Sequence, residues 1–128
     1  MKVLAHHIYE YKKGLRSLVL HTLDASYEAE AVRRLERNNI SYLIRRVNKR
    51  KINIFFGNKA CVHVVTSFGD KPLNAFTPEE DFILGIMLGY NRTEQCKRYL
   101  ARKEIFEIEA ETARDLSFLP SGSLEKTG

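Results

Sequence analysis

The sequence predicts an α+β domain in which a three-stranded sheet, in the order 2-3-1, packs against about five helices. Three observations carry this. Residues 41–57 read as a β-hairpin whose second half, Ile52-Asn53-Ile54-Phe55-Phe56, is the most β-prone run in the chain and is closed by Gly57 and Asn58. Ala25, Ala29, Val32 and Leu35 form one apolar stripe at helical spacing ahead of that hairpin. Thr77-Pro78-Glu79-Glu80 is the sharpest local signal, with Thr77 as cap, Pro78 at the first helical position and Glu80 closing a capping box.

Taken in order, Val3, Leu4, Ile8 and Tyr11 predict a short helix over residues 3–12, with a strand over Val3–Tyr9 as the alternative. Lys12 and Lys13 suit its C-terminal end, and Gly14 can take the left-handed position that follows. Leu15, Leu18, Val19, Leu20 and Leu23 make the first strand, ended by Asp24 and Ser26. Ser26 is expected to cap the next helix, with Glu28 and Glu30 in its first turn. Arg33, Arg34 and Arg37 fall off its apolar stripe, and Asn38 and Asn39 stop it. A strand, a helix and a hairpin in succession make a split β-α-β unit, and the crossover rule sets strands one and two parallel. The most apolar strand belongs between them, with Ile52, Ile54 and Phe56 on one face and Asn53 and Phe55 on the other.

Residues 60–68 leave a helix and a fourth strand open, with the helix preferred. The helix opened by Thr77 runs through nine apolar or glycine residues, Phe82 to Tyr90, so no side of it is polar. Such a helix asks for burial all round. Either it is a central core helix, or a second copy covers its outer face through Phe82, Leu84, Ile86, Met87 and Tyr90, with Gly85 and Gly89 admitting another backbone. Asn91-Arg92-Thr93-Glu94 starts a last helix carrying Cys96, Tyr99 and Leu100. The ordered domain is expected over residues 1–104. Glu104 to Leu119 reads as a weakly amphipathic acidic segment within a tail over 105–128, loose from Pro120 onward.

The chain has 128 residues, 44% hydrophobic and 29% charged, which suits one soluble domain. No apolar run is long enough to span a bilayer, and nothing resembles a cleaved signal peptide, so a cytoplasmic protein is expected. Cys61 and Cys96 lie far apart without paired spacing and read as two buried thiols in a reducing compartment. The net charge of +5 is uneven. Residues 1–57 hold 12 Lys/Arg against 5 Asp/Glu, residues 58–104 hold 7 against 6, and residues 105–128 hold 2 against 5. The positive field therefore belongs to the N-terminal half and steers acidic partners there.

Candidate chemistry is thin. His6 and His7 are adjacent and on a helix point about 100° apart, so they cannot share a ligand. Cys61 and His63 would share a face only on a strand, where they could bind a metal with Cys96 or His21. No nucleophile has a base placed by sequence, and neither GxGxxG nor GxxxxGK[ST] occurs. Glu79, Glu80 and Asp81 are better explained as helix-start charges than as catalytic acids. No catalytic residue, cofactor or metal site is therefore expected. The feature with functional content is the basic run Arg45, Arg46, Lys49, Arg50 and Lys51 on the hairpin. It suits an acidic protein partner, a nucleic acid read with Tyr42, Phe55 and Phe56, or simple protection of a sheet edge.

Three segments, Met1 to Thr22, Ile52 to Gly57 and Thr77 to Gly85, resemble a small bacterial family of uncharacterised domains built from three strands and five helices. The resemblance covers residues 1–103 and leaves the acidic tail outside. It implies a homodimer, offers no catalytic residue, and associates the chain with genomes that encode a flavodoxin next door. Flavodoxins are acidic, which suits the basic N-terminal half. The expectation is thus a non-enzymatic module binding an acidic protein, with a flavodoxin-type electron carrier as the candidate. Nucleic-acid binding through the basic hairpin is the alternative, and a small-molecule sensor or enzyme the third.

Overall fold

Strand β3 (Lys51–Gly57) has no polar side: Ile52, Ile54 and Phe56 face one way, Phe55 the other, and all four are buried. Burying one such side chain stabilises by about 1.5–3 kcal/mol, so both faces demand cover. The computed structural model, which describes residues 1–117, places β3 at the centre of a sheet ordered β1-β3-β2. It is antiparallel to both β1 (Leu18–Asp24) and β2 (Ser41–Arg46), which leaves those two parallel to each other, as expected.

Helices α1 (Lys2–Lys12) and α2 (Glu28–Arg37) cover the first face, where Leu4, Ile8, Val19, Leu35, Ile54 and Phe56 form one core. Helices α3 (Lys59–Ser67) and α4 (Pro78–Met87) cover the second, where Leu18, Phe55, Val62, Val65, Leu84 and Leu88 form another. The last helix, α5 (Arg92–Ser117), packs along α4. The two residue stretches that the sequence leaves open, 3–12 and 60–68, are both helical. Among the described residues no helix is long and apolar enough to cross a membrane.

Capping chemistry sets most of the boundaries. Thr77 Oγ1 accepts from Glu80 N at 3.1 Å while Glu80 Oε1 accepts from Thr77 N at 2.9 Å, the expected capping box of α4. Asn58 Oδ1 accepts from Ala60 N at 2.9 Å to open α3, and Asn91 Oδ1 accepts from Glu94 N at 2.9 Å to open α5. Helix α1 ends as expected at Gly14 (φ 79°), with Gly14 N donating to Tyr11 O and Leu15 N to Glu10 O. Helix α2 ends the same way, but at Asn39, the non-glycine residue with positive φ (55°). Asn39 N donates to Glu36 O and Ile40 N to Leu35 O, and Ile40 drops into the core beside Leu35.

Several expectations are corrected. Ser26 does not cap α2. The chain leaves β1 through a 3-10 turn at Ala25–Tyr27, capped by Asp24, whose Oδ1 accepts from Ser26 N at 2.9 Å. That delay rotates α2, so Ala31 and Leu35 are buried while Ala29 is exposed. Leu15 lies outside β1 and is exposed. Cys61 is partly buried and Cys96 exposed, so the two thiols are not both in the core. Helix α5 runs unbroken through residue 104 to Ser117, with Glu104 onward as its continuation. The loose end expected from Pro120 lies outside the described residues.

Gly57 holds β3 against the entry to β1. Its φ is 145°, and a methyl group there would overlap the Ser17 carbonyl, which accepts from Asn58 N at 2.8 Å. Asn39 is the position where conformation alone can be tested. Asn39→Gly is expected to equal or exceed the wild-type stability in urea. Asn39→Val, forced into a left-handed backbone, is expected to lose about 1–2 kcal/mol. Equal stability of the valine variant would show that the α2 terminus does not depend on this geometry.

Candidate functional site

The hairpin tip is built by Asn48. Its Oδ1 accepts from Arg50 N at 2.8 Å and Lys51 N at 2.9 Å, and Val47 N closes the turn onto Lys51 O. The side chains of Arg46, Lys49, Arg50 and Lys51 are exposed, and among the described residues none of them makes an ion pair. Exposed Val47 sits among them. Asp24, opposite Lys51 in the sheet, is held below the usual carboxylate range, first by its hydrogen bonds from Ser26 and then by the nearby Lys51 and Arg50.

Arg45 does not belong to that tip. Strand alternation turns it to the α3 face, where it is partly buried with its Nε 3.5 Å from Asp70 Oδ1. It lines a cleft of about 540 Å³ between the hairpin and the 69–76 loop, whose walls include Phe55, Val65 and Phe76. Asn53, opposite Arg45 in the register, lines the same cleft. Sequence reasoning grouped Arg45 with its neighbours in the run. The alternation of β2 was the signal that separates them.

The acidic start of α4 is closed by α5. Arg98 grips Asp81 with both nitrogens, Nε to Oδ2 at 2.8 Å and Nη2 to Oδ1 at 3.1 Å, and Arg102 Nη1 reaches Oδ1 at 2.8 Å. Glu79 accepts from Tyr99 OH and Lys103 Nζ, both at 2.9 Å, and Glu80 pairs with Lys71 Nζ at 2.6 Å. Burial raises the Asp81 pKa, but Arg98 and Arg102 together outweigh it and hold the group below its ordinary value. Lys103 lowers Glu79, and Lys71 lowers Glu80. These carboxylates do face a helix N-terminus, as expected, and they also bind the two helices together. Gly85 admits the Gln95 side chain of α5, so the space at this glycine is taken by a side chain of the same chain and not by another backbone.

The outer side of α4 is less covered. Of the five residues expected at an interface, Leu84 is buried, Met87 packs against the same core and Phe82 meets the Tyr99 ring at 5.5 Å. Ile86 and Tyr90 remain exposed, joined by Ile83 and, on α5, Leu100. The histidines and cysteines do not converge. Cys61 and His63 sit on a helix, where a spacing of two separates them by about 200°. His21 is on the opposite sheet face, 5.2 Å from the His7 ring, where burial and then His7 lower its pKa. Among the described residues no three His, Cys, Asp or Glu are placed to hold a metal.

The depressed carboxylates set an acid limit. Their folded pKa values lie below the unfolded ones, so the unfolded chain takes up protons first as pH falls. The stabilisation is complete above the ordinary carboxylate range, about pH 4–5, and is lost as pH drops through the folded values. Melting midpoints are expected to fall on acidification below that range, and less steeply in Asp81→Asn. An identical acid limb in that variant would remove Asp81 from the account.

With this geometry in view, a family model described as a protein of unknown function, DUF2023, matches residues 2–102. No curated protein matches the chain.

Proposed function

We propose that this chain, which belongs to the DUF2023 family, is a non-enzymatic binding module whose hairpin tip docks an acidic protein, with a flavodoxin-type electron carrier as the candidate partner. One observation carries the reading. The α5 cations Arg98, Arg102 and Lys103 are committed to α4 carboxylates, whereas four cations at the tip, Arg46, Lys49, Arg50 and Lys51, face solvent and form no ion pair among the described residues, with Asp24 near Lys51 and Arg50. Exposed Val47 adds an apolar centre to that basic rim. Nucleic-acid binding loses support because, of the three aromatics near the run, Phe55 and Phe56 are 1% and 0% exposed and Tyr42 is half-buried with its hydroxyl donating to Glu36 at 3.1 Å. Two free cysteines, Cys61 and Cys96, suit a reducing cytoplasm.

Exposed charges act mainly by steering encounter. Lys49→Glu with Arg50→Glu is therefore expected to slow association with a purified flavodoxin by about tenfold or more at low salt. The melting midpoint should stay near wild type, since exposed turn substitutions change stability by no more than about 0.5 kcal/mol. Unchanged association rates would leave the tip as an edge guard alone. Tighter binding to duplex DNA than to the carrier would favour the nucleic-acid alternative.

We further propose that two copies pair through the outer face of α4 and α5. Ile83, Ile86, Tyr90 and Leu100 give an exposed apolar patch, and a patch without charge can face its own copy across a two-fold axis. Sedimentation at micromolar concentration should give twice the chain mass of 14.8 kDa. Ile83→Glu with Leu100→Glu should give a folded monomer. A wild-type monomer would dispose of the pairing.

A further inference from the structure

The cleft beside the tip contains two features that the fold alone does not require. The first is Asn53, a polar residue in the central strand, 8% exposed. Asparagine is disfavoured in strands, and burying an amide costs free energy unless its groups are partnered. Thr22 Oγ1 donates to Asn53 Oδ1 at 2.5 Å, but among the described residues the amide Nδ2 has no acceptor. Nor is that nitrogen sealed away from solvent, and Asn53 lines the cleft.

The second is Arg45. Its guanidinium is partly buried, yet its single acidic neighbour, Asp70, is 90% exposed and 3.5 Å from Nε. Its Nη1 reaches only the Ile44 carbonyl at 3.4 Å, which leaves Nη2 uncommitted. Lys71 is already neutralised by Glu80 at 2.6 Å. The cleft therefore offers the Arg45 fork and one amide donor, with Arg46 also lining it, beside apolar walls of Val47, Pro72 and Leu73.

We propose that this cleft binds a small carboxylic acid with an aromatic or branched aliphatic body. The carboxylate accepts from Arg45 and from Asn53 Nδ2, and the body lies against the exposed apolar side chains of Val47, Pro72 and Leu73. A volume of about 540 Å³ suits a small organic ligand, and an arginine fork matches the planar carboxylate. Arg45 is offset by Asp70 and Lys71 by Glu80, so the cleft has one net positive charge, that of Arg46, which suits a single negative charge better than the double charge of a phosphate monoester. The site borders the tip: Arg46 lines it, whereas Lys49, Arg50 and Lys51 do not.

Titration of the full ¹⁵N-labelled chain with phenylacetate tests it. Saturable shifts are expected at the Asn53 side-chain amide and at the Val47 and Leu73 backbone amides. Phenylacetamide, which keeps the body and lacks the charge, and phenyl phosphate, which adds charge, should each bind roughly tenfold or more weakly. Arg45→Gln should weaken phenylacetate by about the same factor. Arg45→Lys, which keeps the charge and the fold but loses the fork, should weaken it as well. Lys49→Glu with Arg50→Glu should leave it unchanged, so this test and that of the tip fail independently. No saturable shift with phenylacetate, or equal affinity for phenylacetamide, would overturn the proposal. So would binding of a tripeptide ending in a free phenylalanine carboxylate when phenylacetate itself does not bind, because the carboxylate would then belong to a chain end.

Discussion

Everything in this fold depends on covering a strand that is apolar on both sides. A sheet with one wet face needs one layer of helices; β3, with Phe56 on one face and Phe55 on the other, needs two. The α1–α2 layer arrives before the strand in sequence and the α3–α4 layer after it, so the chain wraps the sheet from both ends. Helix α5 is then recruited by charge as much as by apolar contact. Its arginines close over Asp81, and its Gln95 fills the space left at Gly85.

Much of this was legible because the signals were local. The capping box at Thr77, the glycine at 14 and the alternation in residues 52–56 each follow from side-chain chemistry within a few positions. The errors share a cause as well. Ser26 is a good cap in isolation, but Asp24 reaches its amide first, at the strand end, and the helix starts later and turned. The nine-residue apolar stretch from Phe82 gave no warning that its side facing α5 would be secured by ion pairs, because those partners lie 17 or more residues away.

The candidate site divides along the same line. That the hairpin is basic could be read from composition. Which of its cations are available could not, since availability depends on where the carboxylates end up in space. Asp81, Glu79 and Glu80 take Arg98, Arg102, Lys103 and Lys71, and the tip is left without an ion pair among the described residues, with Asp24 as the acidic neighbour of Lys51 and Arg50. The separation of Arg45 from Arg46 is a matter of strand parity, and the cleft emerges only when the 69–76 loop folds back beside β3.

Asn53 also bears on how the strands choose their alignment. With Ile52, Ile54 and Phe56 on one face and Phe55 on the other, β3 could slide by one residue against β1 and still present large apolar groups to either layer, so hydrophobic patterning discriminates weakly between registers. A slip would carry the Asn53 amide into the opposite core, away from Thr22, and would draw Gly57 off the Ser17 carbonyl that no side chain can approach. Two small features at either end of the strand thus act as positional pins. They make the misaligned sheet costly without adding to the apolar area that holds the aligned one together.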